Sequence, residues 1–294
     1  MNSWPNFSGP ELCGLEAHQV VKILKAGQVS PVELLEAAVQ RISQTGPVIN
    51  ATPTLCETRA RKAVLDPQES GHAGWLAGLP ISIKDLNAVA GVRTTYGTKG
   101  FANFVPQDSD PLVEQIEARG GVVLGKTNTP EFGAGANTRN LVFGATGNPF
   151  APEKTCGGSS GGSAVALATG MMPLASGSDY GGSLRTPAGF CGVVGIRPSP
   201  GVVAAEGRPV GLLPFSVLGP MGRTVDDAYL LLQAQMGVDA HDPFSTMPDM
   251  DLFAPLKSAD LSSIKAMITP DFGTAPMSKS YRSIFAERVS IFNG

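Results

Sequence analysis

The chain has 294 residues, 42% hydrophobic and 16% charged; this is the balance of a packed globular protein and excludes a disordered or fibrous one. A formal net charge of −3 without any basic block speaks against nucleic acid as a partner, and no run approaches the roughly 18 apolar residues that span a bilayer. Cys13, Cys56, Cys156 and Cys191 lack C-x-x-C spacing, which disfavours a disulfide framework or a zinc site and favours a reducing, cytoplasmic setting.

Met1 to Pro10 is polar and has no signal-peptide form. Leu15, Val20, Ile23 and Leu24 recur at helical spacing, with Lys25 in the last turn and Gly27 as a stop. Ser30-Pro31-Val32-Glu33 has the form of a capping box with proline at the first helical position. Leu34, Leu35, Ala38, Val39 and Ile42 continue that helix on one face, and a third helix is expected over Glu57 to Leu65. Residues 1–70 therefore read as an N-terminal helical arm without chemistry of its own, ahead of an α/β core over residues 71–294.

From Gly78 the texture changes. Leu79 to Ile83 predicts a buried strand with Lys84-Asp85 at its carboxyl end. Asp110-Pro111 opens a helix through Arg119, capped by Gly120, and Val122 to Leu124 is the next strand. Further strands are expected over Met171 to Ala175 and Val193 to Ile196, and a helix over Thr224 to Met236. Val238 to Leu261, rich in Asp and Pro, reads as a surface crossing. Ile264 to Ile268 gives one more strand and Ser278 to Phe292 an amphipathic helix. Strands alternating with helices predict an α/β fold with a mixed, largely parallel central sheet flanked by helices. That last βα unit has no following strand, so the core is expected to be incomplete at the C-terminus.

Three patterns bear on chemistry. Gly120-Gly-Val-Val-Leu-Gly125-Lys126-Thr127 matches G-x-x-x-x-G-K-T, but a helix precedes it and Val-Val-Leu prefers a strand. A nucleotide-dependent enzyme using Lys126 is thus the weaker reading. Gly157-Gly-Ser159-Ser-Gly161 matches G-x-S-x-G, yet no strand leads into it and the only later histidine, His241, lies in the polar crossing. His18 and His72 precede the serines and read as surface residues. Ser159 and Ser183 each follow a Gly-Gly pair, which exposes backbone N–H groups beside a hydroxyl, the parts an acyl-transfer site needs. Without histidine the proton acceptor must be another group, and a buried lysine such as Lys84 can serve.

Taken together, Gly78-Leu-Pro-Ile-Ser-Ile-Lys84-Asp85, Gly157-Gly-Ser159-Ser-Gly-Gly-Ser163 and Asp179-Tyr-Gly-Gly-Ser183-Leu-Arg185 resemble the three catalytic blocks of the amidase signature family. Gly125-Lys-Thr-Asn-Thr-Pro-Glu131-Phe132, Phe143 to Pro149 and Gly219 to Ala228 extend the likeness. The resemblance implies a Ser–Ser–Lys triad: Ser183 as nucleophile, Ser159 as relay after a cis peptide bond, and Lys84 as base. It implies an oxyanion hole from the backbone N–H groups of Tyr180, Gly181, Gly182 and Ser183, with Ser160, Asp179 and Arg185 in support. The implied reaction is hydrolysis of a carboxylic amide through an acyl-enzyme, without metal or cofactor, on a small-molecule substrate and away from membranes; a homodimer stays open. Alternatives from other classes are an inactive or non-catalytic subunit of an amidase-fold protein, and a glutamine-dependent amidotransferase subunit with partners. Phe132, Ala134, Tyr180 and Phe190 are pocket candidates, although several could equally be core. Against the family, the chain lacks about the C-terminal third of the domain, which would bare a sheet edge and apolar surface.

Overall fold

The computed structural model describes residues 7–65, 74–205, 212–258, 260 and 264–292. Two compact units result, residues 1–253 and 254–294. The boundary expected at residues 70/71, between arm and core, lies outside the described residues.

The larger unit opens with α1 (Ala17–Lys25) and α2 (Pro31–Ile49). The capping box forms: Ser30 Oγ accepts from the Glu33 N–H at 3.2 Å while Glu33 Oε2 accepts from the Ser30 N–H at 2.8 Å. α2 runs past the predicted apolar stretch, through Pro47, and stops at Asn50 with φ 52°. The short strand β1 (Thr54–Leu55), missed in the sequence, then leads into α3 (Glu57–Leu65).

The sheet is built from β1, β2 (Leu79–Lys84), β3 (Gly121–Thr127), β6 (Leu174–Asp179), β7 (Val194–Gly195) and β8 (Val217–Gly222), in the order β1-β3-β2-β6-β8-β7. It is mixed: the central pairs β3/β2 and β2/β6 are parallel, and the outer three pairs are antiparallel. The pieces β4 (Arg139–Asn140) and β5 (Gly144–Ala145) form a separate two-stranded ribbon. The helices α4 (Pro111–Ala118), α5 (Gly161–Ala168), α6 (Arg185–Cys191) and α7 (Val225–Gln235) complete the unit.

Alternation along the strands divides the core in two. Leu79, Ile81, Ile83 and Val123 face a cluster with side chains of α1, α4 and α7. Val122, Leu124 and Ala175 face another, with α3, α5 and α6. α2 supplies both, Leu34 to the first and Leu35, Ala38 and Ile42 to the second. The N-terminal helices are thus wedged into the sheet's own cores.

Several expectations shift. Gly120 (φ 87°) ends α4, and the stretch matching G-x-x-x-x-G-K-T is strand β3. The strand placed at Met171–Ala175 begins only at Leu174, because Gly170 (φ 73°) turns the chain first, and it reaches Asp179. β8 was missed because Gly219-Pro220-Met221-Gly222 lacks the β-branched residues that signal a strand. In the smaller unit the strand expected at Ile264–Ile268 does not form. Ile264 and Met267 are 53% and 98% exposed, and an extended segment without a partner strand does not hold. The final helix, α8 (Lys279–Val289), is present, its Ser278 Oγ accepting from the Tyr281 N–H at 3.2 Å. Among the described residues no helix is long and apolar enough to cross a membrane.

Candidate active site

β2 ends in Lys84, whose side chain is fully buried. Its neighbours in the strand explain the burial: Ile81 and Ile83 plunge into one core, so Lys84 is carried to the other side of the sheet. There its Nζ lies 2.6 Å from Ser159 Oγ, 2.9 Å from Ser160 Oγ and 2.9 Å from Ser178 Oγ. The Lys84 N–H itself donates to Ser176 Oγ at 3.0 Å, locking the strand end to β6. Burial pulls the lysine from an ordinary 10.5 down to about 7, against a smaller upward pull from the Asp179 charge.

A neutral amine has two N–H groups and one lone pair, so one of the three hydroxyls must donate to it. Ser160 Oγ already donates to the Ser178 carbonyl at 3.2 Å. Ser159, at the shortest distance, is the natural donor to the lone pair. The turn that delivers it needs its glycines: Gly157 has φ 78°, and a Cβ on Gly158 would meet Asn137 N at 3.0 Å. The Gly158–Ser159 peptide is cis. Thr138 clamps this turn, its N–H and Oγ1 both donating to the Gly157 carbonyl. α5 starts directly after, held by the Ser163 hydroxyl on the Ser176 carbonyl at 2.8 Å.

β6 carries Ser178 and Asp179 into a second turn. The Asp179 carboxylate accepts from the N–H groups of Gly182 (2.7 Å) and Leu184 (3.1 Å), from Arg185 Nε and NH2, and from Arg197 NH1. Arg197 also donates to the Asp179 carbonyl. Burial alone would raise this carboxyl, but the bonds from Arg185, Gly182 and Leu184 overcome it and hold it well below the ordinary range. Asp179 thereby shapes the loop on which Ser183 sits. The Ser183 carbonyl accepts from the Ser160 N–H at 3.2 Å, tying the two serine turns together. Its hydroxyl, half-buried, has no hydrogen-bond partner among the described residues. The same holds for the N–H groups of Tyr180, Gly181 and Ser183, whereas the Gly182 N–H is taken by Asp179.

These groups open on a cavity of about 630 Å³ lined by Ser159, Ser178, Ser183, Tyr180, Phe132 and Ala134, with Leu86, Thr186 and Leu213 further round the wall. Of the pocket candidates, Phe190 alone is not at this cavity; its carbonyl accepts from Asn148 Nδ2 at 3.2 Å beside α6. Ser178, Arg197 and Leu213 were missed in the sequence. Extending the β6 strand to Asp179 would have placed Ser178 at the same end of the sheet as Lys84.

Other nucleophile and base candidates lie elsewhere. His18 pairs with Asp227 Oδ1 at 3.0 Å, His241 is an exposed partner of Asp239, and His72 lies outside the described residues. All four cysteines are free, and burial pushes the thiols up, Cys156 beside the first serine turn to about 11. Lys126 is fully buried and bonded to Asp85, which leaves no phosphate cradle around it. Among the described residues no group of three His, Cys, Asp or Glu side chains converges to hold a metal.

Fold and geometry define a class: an α/β sheet protein with a dry serine–lysine cluster at the floor of a cavity. The chain belongs to the amidase family, whose model matches residues 33–292. It is 42% identical to a glutamyl-tRNA(Gln) amidotransferase subunit of Thermus thermophilus, covering 78% of this chain and 48% of that protein. The corresponding subunit of Sulfurihydrogenibium sp. is 34% identical, covering 95% of this chain and 58% of the relative. Among solved structures, a bacterial aryl acylamidase of the amidase signature enzymes superposes with TM-score 0.83 at 29% identity, covering 95% of this chain and 59% of the other. A 6-aminohexanoate cyclic dimer hydrolase complexed with substrate gives 0.72 at 30%, covering 86% and 51%. The chain thus spans about half the length of the relatives it matches.

Proposed function

We propose that this chain carries an amide-hydrolysing site in which Ser183 is the nucleophile, Ser159 the relay and Lys84 the base. The observation that supports it most is the fully buried Lys84 Nζ, 2.6 Å from Ser159 Oγ and drawn down to about 7. In this reading neutral Lys84 accepts the Ser159 proton as Ser159 accepts that of Ser183. Ser183 Oγ then bonds to the amide carbon, whose oxygen gains negative charge facing the N–H groups of Tyr180, Gly181 and Ser183. The Gly182 N–H, spent on Asp179, braces that turn instead of joining the hole. As the C–N bond breaks, the proton returns from Lys84 through Ser159 to the leaving nitrogen. Water attacks the ester next, loses its proton along the same path, and frees the acid.

Fluorophosphonate labelling of the chain tests this. Ser183 should be the labelled residue, and Ser183→Ala should abolish the adduct; labelling that survives the change rejects the assignment.

A second reading is favoured by the sequence relatives, which are amidotransferase subunits. There the same acyl-enzyme would form from glutamine and the released ammonia would pass to a partner-bound acceptor. Among the described residues lining the cavity none carries a formal charge, which suits an uncharged acyl group better than the α-ammonium and carboxylate of glutamine. Ammonia release from glutamine, compared with that from benzamide, separates the two readings.

A further inference from the structure

The lysine of the sequence pattern G-x-x-x-x-G-K-T is left without a role by the scheme above, yet Lys126 is as deeply buried as Lys84. It stands on β3 opposite Ile83, one position from the end of the parallel pair with β2. Its Nζ donates to Asp85 Oδ1 at 3.0 Å and to Thr94 Oγ1 at 2.8 Å. The other Asp85 oxygen accepts from the Thr95 N–H (3.1 Å) and the Thr95 hydroxyl (2.5 Å). The Asp85 N–H extends the ladder to the Thr127 carbonyl at 3.0 Å. Asp85 is 1% exposed, so this is a buried carboxylate directly after the lysine proposed as base.

The two neighbours share no partner. Lys84 binds Ser159, Ser160 and Ser178, whereas Asp85 binds Lys126 and Thr95. Successive side chains leave a strand on opposite sides, which is how the sheet keeps them apart. The network continues from Thr95, whose hydroxyl accepts from the Gly97 N–H at 3.1 Å, to Tyr96, whose carbonyl accepts from the Phe132 N–H at 2.7 Å. One chain of bonds therefore joins the end of β2 to a wall of the cavity.

We propose that Lys126 is a positioning residue for Lys84: by holding Asp85 on the far side of the β2 end, it fixes the base's direction and keeps a buried carboxylate from facing it. This rests on the reading of Lys84 as base. The charged groups around Lys84 can be named element by element. From β6 comes Asp179, itself occupied by Arg185 and Arg197. From the ends of β2 and β3 come Asp85 and Lys126. The turn before α5 brings only the hydroxyls of Ser159 and Ser160, and α1 and α2 meet β2 through apolar side chains. Burial pulls Lys126 downward and the Asp85 charge pulls it back.

The experiment is the pH profile of fluorophosphonate labelling, with wild type and Lys84→Ala measured first. An inflection present in the wild type and lost in Lys84→Ala supports the reading of Lys84; no such inflection rejects that reading independently of this proposal. Lys126→Met leaves the Asp85 charge uncompensated near Lys84, which favours the ammonium and should move the inflection upward by about one pH unit, a roughly fivefold slower labelling at pH 7 that recovers by pH 9. Asp85→Asn leaves the Lys126 charge instead and should move it downward. Lys126→Arg should restore the wild-type profile. Shifts of opposite sign support the proposal, since mere loosening of the fold would lower the rate at every pH and leave the inflection in place. An unmoved inflection in folded Lys126→Met overturns it. Should that variant fail to fold, Asp85→Asn alone decides, and an inflection that stays put or rises overturns the proposal.

Discussion

Lys84 Nζ sits 2.6 Å from Ser159 Oγ at the centre of three serine hydroxyls, with none of the lysine side chain open to water. An ammonium placed there would hold its three hydrogen bonds but lose its hydration, and the loss of hydration dominates. The same contact that would be a minor surface feature in water becomes, when dry, a proton acceptor near neutrality.

Replacement of Lys84 by alanine removes that acceptor. Labelling of Ser183 at pH 7.5 is expected to slow by at least the roughly 100-fold of a lost general base. The check is the labelling rate across pH 6 to 10, where the variant should show no rise through pH 7.

The wild-type rate should rise as pH passes through about 7, the value to which burial draws Lys84. The same shift acts on stability. Between about 7 and 10.5 the unfolded chain holds a proton on this lysine that the folded chain does not, so the contribution of Lys84 to stability grows as pH rises through that window. Over the window it amounts to about 5 kcal/mol. Lys84→Met lacks this term. The melting temperature of Lys84→Met minus that of the wild type should be most positive at or below pH 7 and fall toward pH 10.

Asp179→Asn tests the brace of the Ser183 turn. It removes the charge on which five donors from four residues converge, Gly182, Leu184, Arg185 and Arg197. Stability should fall by less than the roughly 3–5 kcal/mol of a fully buried pair, because Arg185 is 56% exposed and screened by solvent. Labelling should drop about 100-fold as the N–H groups proposed to face the oxyanion lose their geometry. Since the Asp179 charge holds Lys84 up, the inflection that remains should move to lower pH.

Gly162→Ala tests close packing under the first serine turn. A Cβ there would lie 2.6 Å from the Asn128 carbonyl oxygen and 2.8 Å from that of Ala51, both backbone atoms that cannot step aside. Destabilisation of at least the roughly 1–3 kcal/mol of an overpacked core is expected, read as a lower urea midpoint. Gly181→Ala, which would meet nothing within 4 Å, serves as the tolerant control for stability.

How far the sequence went can be judged from particular residues. The capping box at Ser30, the strand before Lys84 and the helix stop at Gly120 were legible because short-range geometry decides them. So were the two glycine turns, and the family blocks drew attention to Lys84, Ser159 and Ser183 together. β8 and the start of β6 were not, because glycine, proline and methionine there carry no strand preference and only the neighbouring strands impose one. The strand read at Ile264–Ile268 failed for the converse reason: apolar residues without a partner do not make a ladder.

The sequence by itself therefore determined the local parts, turns with exposed hydroxyls and a lysine at a strand end. Tertiary structure alone decided that Lys84 is dry, that Ser178 and Ser160 share it with Ser159, and that Arg197, eighteen positions along, fastens Asp179. It also decided that the Gly182 N–H is spent on a carboxylate and that Lys126 turns away to hold Asp85. The physical reason is that burial and electrostatic coupling are sums over groups brought together from distant positions, and no local pattern encodes such a sum.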